Sequence, residues 1–138
     1  MKLYQSKYSL LPGSSYDEVI ARARKEFNTI RKITKRQPYV RSKYFRGDKI
    51  FITIFWDHLM QKHRGDRTRR LQFYKAAIDL LRNSTLSSDS IFDAANKDII
   101  LHRFYGKTKD GKAFCVQVKE EKRSGRKDFM SVFDIKQK

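Results

Sequence analysis

The sequence of 138 residues has few of the residues that build metal centres or disulfide scaffolds. It contains one cysteine and three histidines, and the histidines are scattered without the spacing of a zinc site. Its carboxylates do not cluster as a magnesium-dependent nuclease requires. The lone Cys115 has no intrachain disulfide partner, which suits a reducing cytosol. We therefore expect a cytoplasmic protein that uses no metal and no cofactor.

Signals for membrane insertion, secretion and nucleotide loops are also missing. No apolar run approaches the roughly 18 residues of a membrane-spanning helix, and the sequence does not open with a secretory signal peptide. The six glycines form neither a P-loop nor a dinucleotide fingerprint. We therefore expect neither a membrane-spanning protein nor one secreted by that route.

Acidic residues are scarce relative to basic ones. Fifteen Asp and Glu stand against 32 Lys and Arg, which gives a net charge of +17. Such a balance favours a polyanionic partner, and nucleic acid is the usual one. Two alternatives stay open, namely incidental charge on a soluble basic protein and attraction to an anionic membrane surface.

The first two thirds of the chain have the pattern of a helical region. Residues 1–14 form a short, polar and aromatic segment, which predicts an extended arm. Residues 15–138 have the length of a single α+β domain. Residues 84–96 form a polar loop. Apolar residues at spacings of three and four predict helices at about 15–34, 49–62 and 66–83.

A candidate capping residue is present for each of these helices. Ser14 or Ser15 can cap the first helix, Asp48 the second and Asp66 the third. The second helix is the least regular, because the β-branched cluster between Ile50 and Ile54 also allows a strand to start there.

Alternating side chains dominate the last forty residues. The strands are predicted at about 99–108, 112–121 and 127–136, joined by turns that contain Gly111 and Gly125. The fold class is therefore α+β, with N-terminal helices packed on one face of a C-terminal three- to four-stranded antiparallel meander.

The register of the meander decides which side chains share a face. A three-residue first loop places Phe104 opposite Val116 and His102 opposite Val118. One face then has the composition of a core, and the other mixes cations and polar groups with aromatic rings. The predicted core face carries His102, Phe104, Phe114, Val116, Val118, Met130 and Val132. The predicted polar face carries Arg103, Tyr105, Cys115, Gln117, Lys119, Phe129, Ser131 and Phe133.

Five segments resemble a group of small proteins associated with phages and mobile elements. They read Phe-Trp-Asp-His-Leu at 55–59, Asp-Arg-Thr-Arg-Arg-Leu at 66–71, Arg-Phe-Tyr-Gly-Lys-Thr-Lys-Asp-Gly at 103–111, Phe-x-Val-Gln-Val-Lys-Glu at 114–120 and Phe-x-Ser-Val-Phe at 129–133. That group is similar to the barnase–EndoU–colicin–RelE superfamily of metal-independent nucleases and toxins. The resemblance covers about residues 43–134.

The resemblance implies a particular chemistry. Members of that superfamily cleave RNA by attack of the ribose 2′-oxygen on the adjacent phosphate, at the exposed face of the sheet. Such a reaction needs a base, an acid for the leaving 5′-oxygen and cations for the phosphorane. The sequence departs from the pattern, because no barnase-like Glu/His pairing is evident at the sheet. An acidic antitoxin or immunity protein would be the expected protein partner.

Four residues are candidates for catalysis. We expect Arg103 and Lys119 to clamp the phosphate and Ser131 to help position it. The alternative for these three is a solvated strand face in a basic protein. His58 could act as general acid or base, although a histidine on an apolar helix is more often a core residue.

Four further residues are candidates for binding substrate. Gln117 and Tyr105 lie beside the catalytic candidates on the predicted polar face. Arg67 and Arg70 open a helix where its dipole disfavours cations, so they contact either an anion or a neighbouring carboxylate.

These observations lead to three hypotheses. The first is a metal-independent endoribonuclease of toxin type, acting on RNA through the exposed sheet face. The second is a non-catalytic nucleic-acid-binding module on the same fold. The third is a phage or mobile-element accessory protein whose basic arm docks onto an acidic partner.

Overall fold

A computed structural model describes residues 2–136 of the chain. Within that range the chain forms four helices and seven strands. The helices are α1 (Tyr16–Ile33), α2 (Ile54–Met60), α3 (Arg64–Leu71) and α4 (Tyr74–Asn83). The strands are β1 (Tyr4–Gln5), β2 (Tyr39–Arg41), β3 (Lys49–Phe51), β4 (Asp89–Phe92), β5 (Ile99–Lys107), β6 (Ala113–Glu121) and β7 (Lys127–Asp134).

The strands belong to one mixed sheet of order β1-β5-β6-β7-β3-β2, with β4 also paired to β5. Strands β5, β6 and β7 form the predicted antiparallel meander. The α+β class is therefore confirmed, but a sheet of three to four strands is wrong. Strands β1 and β3 add parallel pairs, and β2 and β4 add antiparallel ones. These four strands have two to four residues each, too few for an alternating pattern to stand out.

The register between β5 and β6 is the predicted one, with Phe104 opposite Val116 and His102 opposite Val118. Between β6 and β7 the register shifts by one residue. Gln117 pairs with Ser131, but Val118 pairs with Phe129, so Met130 is the extra residue of a β-bulge.

The bulge reverses two side-chain predictions. Phe129 was expected on the polar face, but it is fully buried and its ring stacks on that of Phe55 at 4.7 Å. Met130 was expected in the core, but it is only half-buried, and its sulfur lies 3.5 Å from Gln117 Nε2. An extra residue shifts the side-chain alternation by one position, so both residues exchange places.

Two of the three predicted helices need correction. The segment at 49–62 begins as strand β3, the alternative that its β-branched residues allowed, and α2 starts only at Ile54. The segment at 66–83 is divided into α3 and α4 at Gln72 and Phe73. There the Gln72 carbonyl accepts a hydrogen bond from the Leu11 backbone N–H at 2.8 Å, and the buried Phe73 ring lies 5.5 Å from that of Phe114.

One predicted helix cap is confirmed, and the others are wrong. The segment after Asp48 begins as strand β3, so Asp48 caps no helix. Ser15 caps α1 as expected, since its side chain accepts a hydrogen bond from the Glu18 N–H at 3.3 Å. The cap of α3 is His63 and not Asp66, because the His63 ring accepts from the Asp66 N–H.

The core lies between the helices and one face of the sheet. Its sheet side is formed by Phe104, Phe114, Val116, Val118 and Val132, all at most 4% exposed. The helices α1, α2 and α4 supply the other side of the same cluster. Burying a side chain of this size contributes about 1.5–3 kcal/mol. The helices therefore cover one face, and the opposite face of β5–β7 is called the outer face below.

The N-terminal arm is docked onto the domain. Strand β1 pairs with β5, and the Ser6 N–H donates to the Lys107 carbonyl at 2.8 Å. The buried Asp79 carboxylate on α4 accepts from the Ser6 hydroxyl at 2.7 Å and from the Tyr4 hydroxyl at 3.0 Å. The Lys7 N–H donates to the same carboxylate.

These bonds control the ionisation of Asp79. Burial by itself raises its pKa, but the hydrogen bonds from Ser6, Asn83, Tyr4 and the Lys7 N–H outweigh burial and lower it. A carboxyl whose pKa is lowered by folding stabilises the fold above its unfolded pKa, near 3.9. That contribution is lost as the pH falls through the folded pKa.

We predict that Asp79→Asn lowers the free energy of unfolding at pH 7 by about 2–4 kcal/mol, since the new amide N–H₂ faces donors. The difference from wild type should shrink as the pH falls below about 4. Urea unfolding at pH 7 and pH 3 measures both effects. Asp57→Asn, at an exposed carboxylate on α2, is the control and should leave stability within about 0.5 kcal/mol. A pH-independent difference would contradict the assigned ionisation.

We predict that Gly106→Ala destabilises the domain. A Cβ at Gly106 would lie 2.7 Å from Phe114 Cζ and 2.8 Å from Leu80 Cδ1, so these two buried side chains would have to move in a closely packed core. Overpacking of this kind costs about 1–3 kcal/mol. Gly65→Ala is the matched control, because its Cβ would meet only a His63 atom at 3.9 Å within α3. Thermal unfolding should show a lower Tm for the first variant and an equal or higher Tm for the second.

Candidate functional site

Three predicted residues form one row across the outer face. Arg103, Gln117 and Ser131 are successive Cα partners in β5, β6 and β7. The Arg103 Nε donates to Gln117 Oε1 at 3.4 Å. Arg103 is exposed, Ser131 is half-buried and Gln117 is 9% exposed. Because cross-strand partners lie about 5 Å apart, one small group can contact all three side chains.

Lys119 shares this face and is two residues further along β6. Its Cα partners are Leu101 and Asp128. The Asp128 carboxylate is bound by Arg126, with two N–O distances of 3.2 Å. Within residues 2–136, the half-buried Lys119 ammonium forms no ion pair within 4 Å. The structure therefore brings Arg103 and Lys119 to the same face with Lys119 uncommitted in the described part of the chain.

Tyr105 and Cys115 form the next row of the outer face. The Tyr105 hydroxyl donates to Asp89 Oδ2 at 3.0 Å. Burial first, and then this hydrogen bond, raise the pKa of Tyr105. Burial raises the pKa of Cys115 to about 12. Both groups therefore stay protonated at neutral pH, and neither is an activated nucleophile.

Helices α2 and α3 lie along the edge of β7 and bring two more candidates to the outer face. The Arg70 Nη1 donates to the Val132 carbonyl at 3.3 Å, and its Cζ lies 5.7 Å from the Phe133 ring centre. Asp66 holds Arg70 through an ion pair of 3.1 Å. Burial by itself raises the pKa of Asp66, but hydrogen bonds from Arg70 and Arg69 outweigh it and lower it. The carboxylate partner expected for this arginine is therefore present.

His58 of α2 meets Ser131 in a narrow crevice at the same edge. Arg70, Lys62 and Met130 also line it. The cavity volume is about 10 Å³, close to the least that can hold a water molecule. His58 therefore reaches the outer face beside Ser131, at the rim of a crevice too small for a nucleotide.

The placement of Arg67 does not agree with a substrate-binding role. Its Nε donates to the Lys62 carbonyl at 2.7 Å and its Nη2 to the Met60 carbonyl at 2.8 Å. Both acceptors lie at the C-terminal end of α2, where carbonyls lack helical partners. The guanidinium thus caps α2, and neither an anion nor a carboxylate is its partner among the described residues.

A second polar cluster, which was not predicted from the sequence, lies on the core side of the sheet. His102 Nε2 and Glu120 Oε1 are 2.7 Å apart, and His102 Nδ1 is 2.7 Å from the Ser90 hydroxyl. Lys127 Nζ lies 3.9 Å from Glu120 Oε2 and 2.9 Å from Asp48 Oδ2. The sheet therefore does contain a Glu/His pair, contrary to the sequence interpretation.

This cluster is enclosed. His102 is 8% and Lys127 is 6% exposed, and the Phe45 ring lies 5.1 Å from the His102 ring and 4.9 Å from Lys127 Nζ. The expectation of a packed, hydrogen-bonded His102 is confirmed. The pair could have been predicted from the register. His102 lies opposite Val118, so Glu120, two residues after Val118 in the neighbouring strand, points to the same face of the sheet.

Comparisons with known proteins add no relationship. No family model, curated protein or solved structure matches this chain significantly. No helix in the described range has the length and apolar character to cross a membrane. Residues 2–136 contain no group of three or more potential metal-ligating side chains, and metal independence stays a prediction.

We predict that Glu120→Ala lowers the free energy of unfolding by about 1–3 kcal/mol, because it removes the hydrogen-bond partner of the buried His102 Nε2 and the carboxylate 3.9 Å from Lys127 Nζ. Urea unfolding at pH 7 measures the change. Glu121→Ala is the control, since the neighbouring Glu121 is exposed. Equal stability of the two variants would contradict a structural role for the Glu/His pair.

Proposed function

We propose that this protein is a metal-independent endoribonuclease of toxin type whose site is the outer face of the β5–β6–β7 meander. The observation that carries the proposal is the row of Arg103, Gln117 and Ser131. Lys119 lies on the same face, and His58 lies at the adjoining edge of β7.

The chemistry of this group of residues suits phosphodiester cleavage. Attack by a ribose 2′-oxygen concentrates negative charge on the non-bridging oxygens of the phosphorane. Two cations at fixed positions stabilise that charge best where water is partly excluded, and Arg103 can contact two oxygens through its planar fork. The Ser131 hydroxyl and the Gln117 amide can then orient the phosphate by hydrogen bonds.

His58 is our candidate for proton transfer. Histidine is the side chain that most often serves as a general acid or base in enzymes, and His58 is the one histidine of the set. Its position beside Ser131 in the crevice places the ring next to the end of the row. A histidine at that place can take the 2′-proton or supply a proton to the leaving 5′-oxygen.

RNA is the favoured substrate and an acidic protein the expected inhibitor. Only RNA provides the internal 2′-nucleophile, and the charge of +17 favours a polyanion. An antitoxin or immunity protein would have to cover the same cations with carboxylates. A cytoplasmic location follows from such a substrate.

A non-catalytic nucleic-acid-binding module is the second candidate. The specific observation in its favour is the size of the crevice, about 10 Å³, with His58 half-buried in it. Two carboxylates that could otherwise transfer protons at this face, those of Asp89 and Asp128, are already hydrogen-bonded to Tyr105 and Arg126. On this reading Arg103 and Lys119 contact phosphates without turnover.

We predict that the protein cleaves labelled RNA in EDTA and leaves 2′,3′-cyclic phosphate ends. Arg103→Ala and Lys119→Ala should each lower kcat/KM about 10²–10³-fold, the effect of removing one group that stabilises transition-state charge. His58→Ala should lower kcat by a similar factor while RNA binding is kept. The charge-matched control for the two cation variants is Lys109→Ala, in the exposed β5–β6 turn.

The outcomes separate the hypotheses. Bound but intact RNA, with binding weakened by Arg103→Ala or Lys119→Ala, would replace the nuclease by the binding module. Neither cleavage nor binding at physiological salt would favour the accessory interaction protein. Cleavage that needs Mg²⁺, or cleavage that survives in both outer-face variants, would contradict the proposed site.

A further inference from the structure

The outer face continues beyond the meander onto two short strands. Lys119, Asp128, Phe51 and Tyr39 are successive Cα partners in β6, β7, β3 and β2. Cross-strand partners point to the same side of a sheet. Neighbouring strands lie about 4.8 Å apart, so β3 is roughly 10 Å and β2 roughly 14 Å from β6. The rings of Phe51 and Tyr39 thus lie on the face that carries Lys119.

A basic cleft opens over these two strands. Its volume is about 390 Å³, which is within the range of small-ligand sites. None of the residues that line it is acidic, and four of the seven are cationic. The lining residues are Lys35, Arg36, Gln37, Tyr39, Lys49, Phe51 and Arg126.

Cations and aromatic rings alternate within the cleft. The Arg126 Cζ lies 4.2 Å from the Phe51 ring centre, and the Lys49 Nζ lies 4.6 Å from that of Tyr39. The two half-buried rings are 6.2 Å apart and inclined at 70°. Sites for single-stranded nucleic acid combine these same two elements, because bases stack on rings while cations bind phosphates.

The central cation of the cleft is held in place before any ligand arrives. Arg126 makes two hydrogen bonds to Asp128, each of 3.2 Å, and its Nη2 donates to Gln37 Oε1 at 2.7 Å. Asp128 is 7% exposed, so the carboxylate works as a fixed support. A guanidinium fixed in this way loses little side-chain entropy when it binds a phosphate.

A strained residue brings a second cation to the cleft. Arg36 has a φ of 63°, the left-handed region that side-chain-bearing residues adopt only at an energetic cost. Glycine would occupy the same backbone conformation without that cost. The sequence therefore has an arginine where stability alone favours glycine.

We propose that this cleft binds a single-stranded RNA segment that flanks the cleaved phosphate. Arg36, Lys49 and Arg126 contact its phosphates, and Tyr39 and Phe51 contact a base. The strand then runs over Lys119 to the row of Arg103, Gln117 and Ser131. The assignment of RNA cleavage to that row rests on the proposed function, whereas binding in the cleft can be measured without cleavage.

The first test measures binding of a labelled 2′-O-methyl decanucleotide, which lacks the nucleophilic hydroxyl. We expect Arg36→Gly and Tyr39→Ala/Lys49→Ala each to raise Kd about tenfold or more. Arg36→Gly should also reduce the slope of log Kd against log salt by about 0.7, the value for one lost phosphate contact on a single strand. Lys109→Ala is the charge-matched control and should bind within about twofold of wild type.

Folding and binding can be separated in this test. Arg36→Gly should keep or raise the Tm, because it relieves the left-handed backbone strain. Wild-type affinity in both cleft variants would overturn the proposal, as would tighter binding of a duplex of the same sequence. A protein that binds the decanucleotide through the cleft but cleaves no RNA would support this inference and refute the proposed nuclease.

The second test compares substrates of different length. If the cleft binds a flanking segment, the loss of kcat/KM in the cleft variants should be at least tenfold greater for a decanucleotide than for a dinucleotide. An equal loss on both substrates would overturn the inference, because the cleft would then act at the cleaved phosphate itself.

Discussion

The β-bulge at Met130 determines which side of the sheet Lys127 and Asp128 face. Regular pairing beyond Gln117 and Ser131 would turn Asp128 toward the core beside Glu120, and two carboxylates would meet with little solvent. The extra residue instead turns Lys127 inward, where it lies 3.9 Å from Glu120 and 2.9 Å from Asp48. Asp128 faces outward, where it binds Arg126. One inserted residue thus gives the half-buried Glu120 a second cationic neighbour and orients an outer cation.

This arrangement gives the two sides of the sheet different roles. On the core side, His102, Glu120 and Lys127 satisfy one another beneath Phe45, and their bonds connect β4, β5, β6 and β7. On the outer side Asp89 and Asp128 are hydrogen-bonded, and the cations Arg103 and Lys119 remain at the surface. The two histidines differ in the same way. His102 is enclosed and saturated with partners, whereas His58 lies at the rim of the outer face.

The sequence predicts the long, regular parts of this structure and misses the short ones. The meander and its β5–β6 register follow from nine-residue alternating strands, and Arg103, Gln117, Lys119 and Ser131 were placed on one face correctly. Strands β2 and β3 have three residues each. Strand β2 was not predicted, and the residues of β3 were assigned to a helix, so the basic cleft was not foreseen. The bulge carries no signal of its own, because both Phe129 and Met130 suit a buried strand position.

The extent of the cationic surface bears on the size of the ligand. A single phosphate or a small anion needs one cluster of donors, and the row of Arg103, Gln117 and Ser131 would suffice for it. From Arg103 on β5, cations continue instead through Lys119 and Arg126 to Lys49 on β3. This path crosses the four neighbouring strands β5, β6, β7 and β3, which span roughly 14 Å. Aromatic rings accompany them on β3 and β2, where Phe51 and Tyr39 lie. A surface of this length, with rings at one end, fits a chain of several phosphates with at least one unpaired base.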